Sequence, residues 1–324
     1  MNPTRRRLWL TAAAPLAAQA QAQTEPYPSR PVRMIVPFPP GQAADVFARL
    51  IADQLSQRWP QRVVVENRPG GAGAIGMEAA ARAAPDGYTL GIGTSGTLGV
   101  NPGVMERLPY DVVRDFAPIT NIFLVPLVVI THPSFPPRDM AALVAYIRAN
   151  PGLPFASAGP ATAQHMTAEM FAHQARLRMV HVPYRGSGPA IADLIAGNVQ
   201  LMFDSTASAV PHIQAGRVRC LGITTAYRFA ALPDVPTIAE SVLPGFSAAG
   251  WSGIVAPTGT PEAIITKINR DVTMMLREPA IAARIIALAS IPDPTTPAEF
   301  AAFIQAEIVK WTEVARAAGV RLEG

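Results

Sequence analysis

Three strand-to-helix turns in this chain carry groups that can bind an anion without a basic side chain. The first lies in residues 32–49, V-R-M-I-V-P-F-P-P-G-Q-A-A-D-V-F-A-R. A short apolar run at 33–36 reads as a strand, a turn rich in proline and glycine follows, and Phe47, Leu50, Ile51 and Leu55 then recur at helical spacing. The first amides of that helix, around Gln42, Ala43, Ala44 and Asp45, have no partner inside it and point beyond the end of the strand. They carry partial positive charge and free donors, which makes a seat for an anion. The second turn, F-A-S-A-G-P-A-T at 155–162, offers hydroxyls and helix-start amides ahead of the helix that bears His165. In the third, V-P-Y-R-G-S-G-P at 182–189, Tyr184 or Gly186 faces a ligand, or the segment is a plain turn with a solvated Arg185. Asp204 and Ser205 end the next strand at the same edge. Asp45 and Asp204 either cap helices or hold bridging waters or a ligand ammonium.

Other chemistries fit less well. Residues 71–76 and 91–96 both match G-x-G-x-x-G, but the first has a lengthened turn and no acidic strand end at the distance a dinucleotide site needs. It reads as a tight strand-to-helix turn. The five histidines include no H-x-x-x-H pair, and His165 and His173 lie two helical turns apart, too far to share a metal. Ser157, His165 and Asp204 could assemble a hydrolase, but no G-x-S-x-G elbow is present. The single cysteine, Cys220, sits in an apolar stretch and reads as a buried, inert thiol. No cofactor and no metal are expected.

The elements that must position these turns form an α/β protein. With 324 residues the chain exceeds what one core usually serves, so two domains are expected. Arg5, Arg6 and Arg7 precede an apolar stretch at 8–18 and small residues in an A-x-A pattern, which is the order of a secretory leader over residues 1–22. The arginines also resemble a twin-arginine signal. Without them the net charge falls from +4 to +1, so the basic pI does not argue for a nucleic-acid partner. No later segment is long and apolar enough to span a membrane, and the mature protein is expected in the periplasm.

Strands and helices alternate from residue 27 to about 122, and again from 137 to 224, which argues for a mainly parallel sheet covered on both faces. Two long apolar passages, 123–131 and 246–256, join the units, so the second is inserted into the first. Pro126 demotes the first passage to an edge or crossing strand. The expected division is residues 27–123 with 249–324 as lobe 1 and 124–248 as lobe 2. A cleft between two such lobes is a favoured ligand site.

The ordered set P-F-P-P-G-Q-A-A-D, E-N-R-P-G-G-A-G-A-I-G, P-D-G-Y-T-L, L-P-Y-D, S-A-G-P-A-T-A-Q-H, V-P-Y-R-G-S-G-P-A, L-M-F-D, L-P-D-V-P-T-I-A-E and A-P-T-G-T-P resembles Bug-type receptors, the substrate-binding components of tripartite tricarboxylate transporters. The resemblance runs through essentially the whole mature chain. It implies a two-lobed Venus-flytrap of the type II periplasmic binding-protein fold, acting as a monomer. It further implies a small organic acid as ligand, inner-membrane permease subunits as partners, and no catalysis. In such receptors a carboxylate is held between facing loops by amides, hydroxyls and ordered waters. Carried onto this chain, lobe 1 would supply Phe38, Pro40, Gly41, Gln42, Ala43 and Asp45, with Thr94 and Ser95 nearby. Lobe 2 would supply Ser157, Ala158, Gly159, Ala161, Thr162, His165, Tyr184, Gly186 and Asp204. The chain departs from the family at Gln42 and Ala161, where glycines are usual, and at Pro160, which has no N–H to donate. The alternatives are an exported hydrolase or isomerase, or a ligand sensor, using the same cleft.

Overall fold

The structure, a computed structural model, describes residues 27–322, so the expected leader lies outside the described residues. The chain opens with β1 (Val32–Val36), α1 (Ala43–Arg58), β2 (Val63–Asn67), α2 (Ala74–Ala81) and β3 (Thr89–Thr94), followed by a wide helical turn at Ser95–Val100. Two short helices, α3 (Asn101–Val104) and α4 (Val112–Asp115), lead to the long strand β4 (Phe116–Thr131). The second unit contains α5 (Met140–Ala149), β5 (Leu153–Ser157), α6 (Ala163–Ala175), β6 (Met179–Pro183), α7 (Ser187–Ala196), β7 (Leu201–Ser205), α8 (Thr206–Gln214), β8 (Arg219–Ile223) and α9 (Ile238–Ser241). The chain then returns through β9 (Ala249–Pro257), α10 (Glu262–Leu276), α11 (Pro279–Ala287), β10 (Ile291–Pro292) and α12 (Pro297–Ala318).

The strands lie in the order β2-β1-β3-β9-β4-β7-β5-β6, with β8 and β10 also paired to β4. Parallel pairing is confined to the two ends, β2-β1-β3 and β7-β5-β6, while β9 and β4 pair antiparallel with each other and with their neighbours. The sheet is therefore mixed rather than mainly parallel. β4 is central rather than an edge strand, because it changes partners along its length. It pairs with β9 as far as Pro126 and with β7 from Leu127 onward. Pro126 stands at the exchange, where a missing N–H interrupts neither ladder.

The sequence explains these elements locally. Phe47, Leu50, Ile51 and Leu55 of α1 point into one core with Ile265, Ile268 and Val272 of α10. Each such burial contributes roughly 1.5–3 kcal/mol. In α12, Thr296 and Glu299 cap each other's amides, Pro297 begins the helix and Gly319 ends it at a φ of 66°. The glycine patterns have packing explanations. A Cβ at Gly76 would stand 2.6 Å from the Arg68 carbonyl oxygen, and one at Gly93 would stand 2.1 Å from a Leu98 methyl. α12 does not stay with one half of the molecule: its later residues Trp311, Val314 and Ala315 share a core with Phe171, Phe203 and Phe246.

Candidate functional site

A cleft of about 670 Å³ runs between the two halves, and four helical segments begin on its walls. Gln42, Ala43 and Ala44 bring the start of α1, and Thr94, Ser95 and Gly96 the wide turn after β3. Thr162, Ala163 and Gln164 bring the start of α6, and Ser205 and Ala207 that of α8. The caps are local. Thr94 and Thr97 satisfy each other's amides, Thr162 accepts from the His165 amide at 3.3 Å, and Ser205 accepts from Ser208 at 3.4 Å. The first amides of each segment still have no partner within their own helix. Among the described residues, none that lines the cleft carries a formal charge. The site can therefore attract an anion only through oriented amides, hydroxyls and helix dipoles.

Of the residues singled out in the sequence, Phe38, Gly41, Gln42, Ala43, Thr94, Ser95, Ala161 and Thr162 line this cleft. The others stand behind or beside the walls. Pro40 is exposed and off the cleft. Asp45 is buried and turned inward, accepting from the Gly41 amide at 2.9 Å, Asn67 Nδ2 at 2.8 Å and Arg49 Nε at 3.1 Å. Burial alone would raise its carboxyl, but these hydrogen bonds, Arg49 first, outweigh that and hold it below the usual range. The carboxylate thus fastens the loop from which the α1 amides project. It neither caps α1 nor lines the cleft, and its role is loop support instead of either one the sequence suggested.

The second-lobe wall has a similar backing. Ser157 Oγ lies 2.6 Å from His181 Nε2 and accepts from the Gly159 amide at 3.1 Å. His165 Nδ1 accepts from the Ala161 amide at 3.1 Å, which places that ring's proton on Nε2, facing Glu169 at 3.4 Å. The two imidazoles stack with centroids 3.7 Å apart. Burial, and secondarily the neighbouring His165, lowers His181 to about 4 and keeps it neutral. Ala158 accepts from the Gly186 amide at 3.0 Å, and Tyr184 Oη donates to Asp193 at 2.8 Å. Ser157, Ala158, Gly159, His165, Tyr184 and Gly186 therefore shape the turn that carries Ala161 and Thr162, without lining the cleft themselves. Ser157, His165 and Asp204 form no triad: serine pairs with His181, and Asp204 takes its hydrogen bond from Ser187 Oγ at 2.5 Å. Ala161 adopts a φ of 54°, a left-handed value at which glycine would be unstrained. Gln42, at a φ of −74°, needs no glycine.

Asp204 is fully buried, its Oδ2 has no partner, and burial pushes its carboxyl up to about 6 from 3.8. A folded pKa above the unfolded one means that the native state favours the protonated acid. The stabilisation is complete below about pH 4 and lost as the pH rises through 6. Two pH units correspond to about 3 kcal/mol at most. Asp204→Asn is therefore expected to be more stable than the parent at pH 7.5 by up to ~3 kcal/mol, an advantage that disappears at pH 4. Denaturant unfolding at both pH values checks this, and parallel curves would rule it out.

Several cleft residues have no anion-binding signature in the sequence. Gln164 and Ser208 follow the helix starts, and Phe47, Phe123, Val125, Leu127, Trp251 and Leu288 supply apolar wall. The crossing passages hinted at Val125 and Trp251, because a segment that joins two lobes must run along the floor of the cleft between them. Cys220 is half-buried rather than buried as expected, yet desolvation of its thiol pushes it up to about 12, which disfavours a reactive thiolate. Among the described residues no cluster suited to a metal ion occurs.

A sequence profile described as the tripartite tricarboxylate transporter family receptor matches residues 47–320. The chain belongs to this receptor family. It is 38% identical to protein BugT of Bordetella pertussis over 314 residues, covering 96% of both chains. Among solved structures it resembles R. palustris Rpa4515 with adipate at 35% identity and a TM-score of 0.79, covering 91% of this chain and 99% of the other. It also resembles MatC (Rpa3494) from Rhodopseudomonas palustris with bound malate at 32% identity and a TM-score of 0.75, covering 89% and 99%. This receptor has the two-lobed α/β fold of periplasmic binding proteins. The family and its solved neighbours are solute-binding proteins, not enzymes, and the family's receptors are periplasmic. Among the described residues no helix is long and apolar enough to cross a membrane.

Proposed function

We propose that this receptor captures a small organic acid in the cleft and delivers it to the inner-membrane permease of a tripartite tricarboxylate-type transporter, after export and removal of residues 1–22. The observation that carries the reading is the convergence of four helical starts on a cleft whose lining has no charged side chain. A carboxylate placed there receives donors from both halves, so binding favours closure. The adipate and malate held by related receptors are acids of the same general kind.

Closure would rotate lobe 1, residues 27–123 with 249–324, against lobe 2, residues 124–248, about the crossing strands. Support for that pivot comes from the partner exchange at Pro126. Thr224 also ties the two crossings together, donating its amide to Leu127 at 3.0 Å and its hydroxyl to Ala248 at 2.7 Å. The packing of α12 against the second core means that its end must slide or travel with that lobe.

The test is thermal unfolding of the leader-free protein with a panel of carboxylic acids. A ligand at a hundred times its Kd adds about 2.7 kcal/mol of stability. A selective shift, with the acid recovered unchanged, is expected. Conversion of the acid would instead make the protein an enzyme, and the absence of any shift across the panel would remove organic acids as its ligands.

A further inference from the structure

Resting on that receptor reading, we infer that His165 is a positioning residue for capture, and that its protonation releases the second-lobe turn so that the acid is held more weakly as the pH falls toward 5. The turn that leads into α6 keeps its shape through three contacts. The Thr162 hydroxyl donates to the Gly159 carbonyl at 2.8 Å, the Gly159 amide donates to Ser157 Oγ at 3.1 Å, and the Ala161 amide donates to His165 Nδ1 at 3.1 Å. Only the last of these is undone by one proton on the imidazole.

A neutral imidazole accepts at one nitrogen and donates at the other, whereas an imidazolium donates at both. Protonation of Nδ1 therefore sets two donors against each other and leaves the amide of the buried Ala161 unpaired. Ala161 is poorly placed to do without that tie. Its φ of 54° is a left-handed value that an alanine adopts only at a cost, and a backbone held in such a state relaxes when a contact that fixes it is lost. Thr162 and Ala163, next in the chain, line the cleft and carry the first amides of α6. Relaxation of the turn moves those donors away from the acid.

The surroundings decide which ring takes the proton. Glu169, one turn along α6, lies 3.4 Å from His165 Nε2 and offers a carboxylate to a charged ring. His181 of β6 stacks on the same ring with centroids 3.7 Å apart, and two cations at that separation repel. Its Nε2 is engaged with Ser157 Oγ at 2.6 Å, and burial, then His165, hold it down to about 4, so His181 stays neutral. The other elements packed on α6 bring few charges. Phe155 of β5 stacks alongside at 6.2 Å, β9 has no titratable residue, and Asp204 of β7 is engaged by Ser187. On α12, Glu307 is paired with Lys310, while Glu313 lies beside His173, two turns further along α6.

The test uses the nitrogen-15-labelled, leader-free protein with its His165→Asn and His165→Leu variants. Asparagine presents Oδ1 to the Ala161 amide where histidine presents Nδ1, but takes up no proton; leucine presents no acceptor. In NMR spectra of the ligand-free parent from pH 8 to 5, the Ala161 amide is expected to lose its exchange protection, relative to its intrinsic rate, with the same midpoint as the His165 ring. In the asparagine variant it should keep that protection. Calorimetry then uses whichever of adipate, malate, citrate, benzoate and glutamate binds the parent most tightly at pH 7.5. Between pH 7.5 and 5 the parent is expected to lose on the order of tenfold more affinity than the asparagine variant. Titration of the acid itself and of Asp204 is common to both proteins and cancels in that ratio. The leucine variant should bind weakly at both pH values. An Ala161 amide that ignores the titration of His165, or parallel affinity profiles for parent and asparagine variant, would overturn the inference while leaving the receptor reading in place. Failure of every acid to bind at pH 7.5 would overturn both.

Discussion

Ala163→Asp is expected to abolish capture of carboxylates, weakening binding by on the order of a hundredfold or more, while thermal stability stays level or rises slightly. Ala163 is the first residue of α6 and lines the cleft. An aspartate there would sit on the same free amides that the ligand needs, and two like charges about 4 Å apart repel by several kcal/mol in a partly screened cleft. The same charge suits the helix start and stabilises it by about 0.3–1 kcal/mol. The opposite signs of the two effects separate a blocked seat from a damaged fold. Ala163→Asn, which fills similar space without charge, should lose far less affinity. Calorimetry paired with melting curves reads both quantities, and parental affinity in the aspartate variant would move the anion seat elsewhere.

The second large effect is on stability and falls where α12 packs against the wide turn after β3. Glu307 is buried in α12, and its Oε2 accepts from the indole nitrogens of Trp251 and Trp311, each at 2.8 Å, while Lys310 pairs with Oε1. Removing the carboxylate leaves two buried N–H donors without partners, at about 1–3 kcal/mol each, and frees Lys310. Glu307→Ala is therefore expected to lose about 3–5 kcal/mol in denaturant unfolding, and Glu307→Gln, which keeps an acceptor oxygen, roughly half of that. Because Trp251 lines the cleft, the alanine variant should also bind its ligand more weakly. Stability equal to the parent in both variants would show that the indoles find other acceptors.

Much of the lobe-forming structure was legible along the chain because its determinants are local. Apolar runs, proline at helix starts and glycine after them place most strands and long helices within a few residues of where they lie. The wide turn after β3 escaped notice, since its cap is a Thr94–Thr97 pair inside what reads as a glycine motif. The strand order was not legible in the same way. Pro126 looks like a reason to make β4 an edge or crossing strand; β4 does cross between the units, but at the centre of the sheet, with Pro126 at the point where the ladder changes partners.

At the site, the sequence by itself determined which backbone segments line the cleft with free amides: the turn before α1, the Thr94–Ser95 step and the turn before α6 owe them to a strand ending and a helix beginning. Only the tertiary structure decided which side chains face the cleft. Asp45 and Asp204 both end up behind the wall: the first is fastened to Arg49, one turn along its own helix, and to Asn67 of β2, and the second takes a hydrogen bond from Ser187 while its other oxygen has no partner. His181, which backs Ser157 from 24 positions away, and Glu307, which joins two tryptophans 60 residues apart, are products of the same packing. Local periodicity creates the donors, whereas long-range contacts settle which polar groups are already bound and which remain free for a ligand.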